Sequence, residues 1–100
     1  MGDHQYDEQI QLEENVAEPP KYKVILLNDD YTTFEFVISV LISIFKKPHT
    51  EAIQITMDVH NNGSGLCGIY TKEIAETKVV AVHEVSEAAG FPLRCVMEEE

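Results

Sequence analysis

The 100-residue chain has no tryptophan, only two cysteines, and no lysine or arginine before Lys21. Each absence narrows what it can do. Cys67 and Cys95 sit in apolar, strand-like runs without metal-ligand spacing, and read as buried reduced thiols. No stretch reaches the length of a membrane span, and no basic segment precedes an apolar one in the manner of a secretory leader. The sequence therefore reads as cytoplasmic, with no membrane partner. Lys and Arg number 7 against 18 Asp and Glu, giving a net charge of -11 and a pI of about 4.6. Such a field, with no basic stripe, repels phosphate backbones and argues against nucleic acid. It suits a partner with a basic patch, or a cationic ligand. No Gly-rich phosphate loop and no His-x-x-His or Glu-x-x-His spacing occurs. None of Ser39, Ser43, Ser64 and Ser86 lies in a nucleophile elbow. Neither a cofactor nor a metal is expected.

What is present divides at Pro19-Pro20. Residues 1–20 carry Asp3, Asp7, Glu8, Glu13, Glu14 and Glu18 with scattered apolar residues, too few to offset the entropy of ordering; the expectation is a flexible acidic tail. Residues 21–100 make one small domain. Tyr22 to Leu27 reads as a strand. Thr32 with Glu35 three positions on forms a capping box for a helix from about Thr33 to Lys47. Its apolar stripe is Phe34, Val37, Leu41, Ile44 and Phe45; Lys46 and Lys47 suit its negative end, and Pro48 stops it. Thr50 is expected to cap a second helix, about Glu51 to His60, with Ala52, Ile55, Thr56 and Val59 on one face. Gly63-Ser64-Gly65 reads as a flexible turn. Leu66 to Tyr70 is a second strand. Thr71 caps a long helix, about Lys72 to Ala89, whose inward positions are Ile74, Ala75, Lys78, Val79, Val82, Val85 and Ala89, with Gly90 at C′. Leu93 to Met97 is a third strand. The fold class is α+β: a three-stranded sheet, expected to be antiparallel, packed with three helices in the order βααβαβ.

The polar groups that could carry chemistry are Asn28, Asp29, Asp30 and Thr32 on one loop, and His60 at the end of the second helix. Two helices joined by a short link form a hairpin that can return His60 to the Asn28 loop. Asn and Asp at a strand end are also ordinary turn residues, and a helix-end histidine is also an ordinary surface residue. His4, His49 and His83 read as surface residues. An enzyme using Asp30 and His60 would lack a nucleophile and an oxyanion device. A scaffold that only dimerises would leave the loop as turn chemistry.

The residues Tyr22-Lys23-Val24-Ile25-Leu26-Leu27-Asn28-Asp29-Asp30-Tyr31-Thr32, Glu35-Phe36-Val37-Ile38, Val59-His60, Cys67-Gly68, Ala75-Glu76-Thr77-Lys78 and Pro92-Leu93 resemble the ClpS family. These are bacterial adaptors that bring N-degron substrates to the ClpAP protease and modulate its substrate choice; they are not enzymes. The resemblance covers essentially everything after Pro20. It implies that Asn28, Asp30 and His60, with Asp29 beside them, hold the substrate's free α-amino group. It implies a pocket for the first side chain (Leu, Phe, Tyr or Trp) at Leu26, Thr32, Phe34, Val37, Thr56, Val59 and Leu93. Phe34 and Thr56 stand where Met is typical of the family, which bears on fine specificity. Glu73, Glu76 and Lys78 match the surface that docks on the N-terminal domain of the unfoldase ClpA. The acidic tail matches the segment that the unfoldase engages during hand-over. The partners implied are thus the ClpA N-terminal domain and the N-terminal segments of substrate proteins.

The chemistry of such a site is simple. A peptide α-amino group has a pKa of about 7.7–8.0 and is largely ammonium at neutral pH. It presents three donors, and an Asp carboxylate, an Asn carbonyl and a neutral His nitrogen are three acceptors. Hydrogen bonds to charged groups contribute about 1.5–3 kcal/mol each, and burying a Leu or Phe side chain adds roughly 1.5–3 kcal/mol. After ordering costs, a Kd near the micromolar range is expected, on the order of -8 kcal/mol.

Overall fold

The computed structural model describes residues 18–100. The acidic tail expected over residues 1–20 lies outside them, apart from Glu18, Pro19 and Pro20. The elements run β1 (Lys21–Leu27), α1 (Phe34–Ser43), α2 (His49–Asn62), β2 (Ser64–Thr71), α3 (Lys72–Ala89) and β3 (Arg94–Glu99). This is the expected βααβαβ order, and both strand pairings are antiparallel. β1 is central, in the order β2-β1-β3. Its composition suits that place. Val24 and Leu26 are fully buried on one face, while Lys21 and Lys23 project from the other. Leu26 pairs with Gly65 on β2 and Cys95 on β3, and Val24 with Gly68 and Met97. A bulge between Val24 and Ile25 accommodates Cys67 as the extra residue of β2. Both cysteines are buried free thiols, as expected. Burial pushes the Cys95 thiol up to about 12, and burial, with Cys95 nearby, pushes Cys67 higher still. Neither is a nucleophile near neutral pH.

Several local expectations are corrected. The N-cap of α1 is Thr33, whose hydroxyl accepts from the Phe36 amide at 3.2 Å. Thr32 is not the cap, because its hydroxyl is held by Asp29. The helix ends at Ser43, not Lys47. Lys46 takes a left-handed φ of 58°, and the Lys47 amide donates back to Leu41 O at 3.0 Å, closing the chain before Pro48. The basic group at this helix end therefore comes from elsewhere: Lys78 of α3 donates its Nζ to Ile44 O at 2.7 Å. α2 begins at His49 behind Pro48, whose carbonyl takes the first helical bond from Ala52. The proline's fixed φ, here -62°, suits a helix entry, so Thr50 is not the cap. α2 runs to Asn62 and closes on Gly63 at φ 91°, a conformation glycine adopts without a Cβ clash.

The four inward positions expected on α2, Ala52, Ile55, Thr56 and Val59, are all buried. α3 presents a narrower line than expected. Ala75, Val82 and Ser86 are buried, whereas Ile74 and Val85 are exposed at 49% and 41%. A single helix laid across a three-stranded sheet buries one stripe, and apolar residues beside that stripe stay outside.

Candidate functional site

The loop after β1 is fastened at both ends. The Asn28 amide donates to Gly63 O at 3.0 Å, tying the end of β1 to the C-terminal turn of α2. Gly63 in turn donates to Val59 O, closing that turn. The helical hairpin thereby brings His60 beside the Asn28 loop. Within the loop, Asp29 Oδ1 accepts from the amides of Tyr31 (2.8 Å) and Thr32 (2.7 Å), while Oδ2 accepts from the Thr32 hydroxyl at 2.7 Å. Partial burial pushes this carboxyl up, but the Thr32 hydroxyl and the two amides outweigh it and hold it below its ordinary 3.8. Asp29 is thus engaged by the loop itself. The side chains of Asn28 and Asp30 differ. Both are exposed, and among the described residues neither forms a hydrogen bond. One carboxylate and one amide are left facing outward from a rigid turn.

His60, also exposed, meets the ring of Phe34 at 5.2 Å between centroids and 70° between planes, an edge-to-face contact. Phe34 opens α1 and is 41% exposed. It joins the polar cluster to the apolar one. Leu26, Val37, Val59 and Leu93 belong to the main core cluster and are nearly or fully buried. Thr32 is half-buried at the loop end. Thr56 is 2% exposed, and its hydroxyl donates to Ala52 O at 2.8 Å, one helical turn back. Its polar hydrogen is therefore satisfied within α2.

Glu73 and Glu76 lie on the exposed side of α3, where they line an open groove of about 440 Å³ with Thr77, Val80, Ala81 and Glu84. Lys78 is not equivalent to them. It is half-buried on Ile44 O, with its Nζ 6.0 Å and 5.6 Å from the ring centres of Phe45 and Tyr70. Phe34 and the Lys78 contact mark opposite ends of α1. Ten residues at 1.5 Å rise place Phe34 roughly 15 Å from the Lys78 contact.

A family model described as ATP-dependent Clp protease adaptor protein ClpS matches residues 17–96. The chain belongs to the ClpS family. It is 53% identical over 93 residues to the ClpS adapter of Oleidesulfovibrio alaskensis, covering 93% of this chain and 89% of that one. It is 51% identical over 94 residues to the adapter of Wolinella succinogenes, covering 94% and 92%. Among solved structures, that of Agrobacterium tumefaciens ClpS2 bound to L-phenylalaninamide superposes with a TM-score of 0.81 at 40% identity, covering 83% of this chain and all of that one. ClpS proteins are adaptors of the ATP-dependent Clp protease, not enzymes. Among the described residues no helix is long and apolar enough to cross a membrane.

Two contacts between elements are not legible in the sequence. Gly65 is not in a flexible turn: it is buried in β2 opposite Leu26. A Cβ there would stand 2.7 Å from Val59 Cγ2 and 3.1 Å from Ile55 O, so the missing side chain lets α2 lie against β2. His83, read as a surface residue, accepts the Cys95 amide on its Nε2 at 3.0 Å and fastens the edge strand β3 to α3. Neither contact leaves a local signal, since each depends on which elements the fold brings together.

Asp29→Ala is expected to lower unfolding stability by about 1–3 kcal/mol, because two loop amides and the Thr32 hydroxyl lose their acceptor. The carboxyl's folded-state pKa is depressed, so its contribution is complete above the unfolded value near 3.8 and fades as pH falls through the lower folded value. Urea titrations of the wild type and the variant should differ at pH 7 and converge in strong acid. Equal stability at pH 7 would contradict the loop's dependence on Asp29.

Proposed function

We propose that this ClpS protein recognises N-degron substrates by their free α-amino group and bulky hydrophobic first side chain, and hands them to the ClpA unfoldase of ClpAP. The observation that carries the reading is the division of labour in the loop: Asp29 is consumed in holding the turn, while Asn28 and Asp30 are left outward and unengaged beside His60. The three acceptors suit an ammonium. Asp29 contributes from behind, by fixing the loop. Leu26, Val37, Thr56, Val59 and Leu93 supply the apolar wall, with Thr32 and Phe34 at its rim. The Agrobacterium relative supports the same mode: L-phenylalaninamide carries a free α-amino group beside an aromatic side chain. Recognition is non-covalent throughout.

The second surface is assigned to the exposed side of α3, where Glu73 and Glu76 would meet the N-terminal domain of ClpA. The acidic segment before Lys21 is assigned to engagement by the unfoldase, with residues 21–100 as the substrate-recognition domain. Glu73→Ala and Glu76→Ala should leave the affinity for a Phe-initiated peptide within about twofold, since exposed carboxylates on a different element are largely screened by water and salt. Both should slow ClpAP degradation of a Phe-initiated reporter. Lys78→Ala is the poorer probe, because it also removes the group that holds the Ile44 carbonyl. If peptide affinity fell with Glu73→Ala while ClpA binding persisted, the division into two surfaces would be wrong.

A further inference from the structure

The Phe34–His60 contact carries more than a pocket rim. His60 is exposed at the end of α2, and among the described residues no hydrogen bond or ion pair fixes its side chain. A surface imidazole so placed samples several rotamers. Only some of them present a nitrogen to a ligand held by Asn28 and Asp30. The ring it does touch belongs to Phe34, at 5.2 Å and 70°. Phe34 is the first residue of α1, directly after the Thr33 cap, so the helix start fixes its backbone beside the end of α2. A ring set by a capped helix start thus bears on the edge or face of an otherwise unanchored imidazole.

We propose that Phe34 is a positioning residue for His60, holding the imidazole in the orientation that accepts from the substrate's ammonium. The proposal rests on the peptide-binding role given above and deepens it. An acceptor oriented beforehand loses less freedom when the ligand arrives, and that loss would otherwise weaken binding. It also couples the two halves of recognition. The residue that borders the first side chain is the residue that sets the ammonium acceptor, so a change at position 34 alters both affinity for the amino group and choice of side chain.

The test is a double-mutant cycle on the full chain, with fluorescein-labelled Phe- and Leu-initiated peptides, combined with NMR of the ligand-free protein. Phe34→Leu keeps apolar bulk and removes the ring; Phe34→Tyr keeps the ring. An edge-to-face contact is worth about a 2- to 12-fold change in an equilibrium constant. Phe34→Leu should therefore weaken both peptides by about that factor in the wild-type background, and by much less when His60 is already Ala. Phe34→Tyr should restore wild-type affinity. In the free protein, the His60 ring-proton shifts should move in Phe34→Leu and stay near wild type in Phe34→Tyr. Equal losses in both backgrounds, or His60 shifts unmoved by loss of the ring, would overturn the positioning role while leaving peptide recognition intact. If no Phe-initiated peptide bound the wild type, the underlying role would fail, and the positioning role with it.

Discussion

N-acetylation of a Phe-initiated peptide should weaken its binding by at least about 100-fold. The modification removes the positive charge and two of the three ammonium donors, and leaves the phenyl ring untouched. Asn28, Asp30 and His60 would then face an amide with one donor. Hydrogen bonds to a charged group contribute about 1.5–3 kcal/mol each, so losing two costs about 3–6 kcal/mol, above the roughly 2.7 kcal/mol that corresponds to 100-fold. Equal anisotropy titrations for the free and acetylated peptides would refute the assigned α-amino site. By the same chemistry, internal Phe or Leu residues, which carry no ammonium, should not bind.

The second large effect concerns side-chain choice. Phe34 and Thr56 are the two proposed pocket positions at which the family resemblance leads one to expect Met. A partly exposed ring at the start of α1 should crowd substrates branched at Cβ and admit Leu, Phe, Tyr and Trp. Phe34→Ala is expected to let Ile- and Val-initiated peptides bind. Thr56 is shorter than Met, so an aromatic ring should fill space that Leu leaves void, favouring aromatic first residues. Because the Thr56 hydroxyl is bonded to Ala52 O, this preference is one of shape and not of polarity. Thr56→Met should narrow the gap between Phe and Leu peptides by up to about 1–3 kcal/mol, the range of a methylene-scale change in an apolar pocket. Affinities of Leu, Phe, Trp, Ile and Val peptides for the wild type and both variants measure this. An unaltered ranking would show that neither residue borders the pocket.

The element order and the inward face of α2 were legible because they rest on periodicity: Ala52, Ile55, Thr56 and Val59 recur at helical spacing and all four are buried. The return of His60 to the Asn28 loop was legible from the short link between the helices. The features that differ from the sequence pattern share a cause. Adjacent threonines offer two possible caps, and the choice of Thr33 over Thr32 depends on Asp29 claiming the Thr32 hydroxyl. Lys46 and Lys47 follow a helix and suit its dipole, yet a lysine thirty-four positions from Ile44 takes that role, because α3 passes the end of α1. Gly65 and His83 matter only through packing between elements distant in sequence. Asn28, Asp29 and Asp30 look alike in composition. Geometry separates the one that holds the turn from the two whose side chains stay unengaged among the described residues.

In the proposed mode of recognition the first residue of a substrate seats between the Asn28 loop and the end of α2. Backbone amide NMR during titration with a Phe-initiated peptide tests it most directly. Shifts should concentrate at residues 28–34 and 56–63, saturate with a single Kd, and be absent with the acetylated twin. Shifts centred instead on Glu73 to Glu84, or equal responses to both peptides, would contradict it.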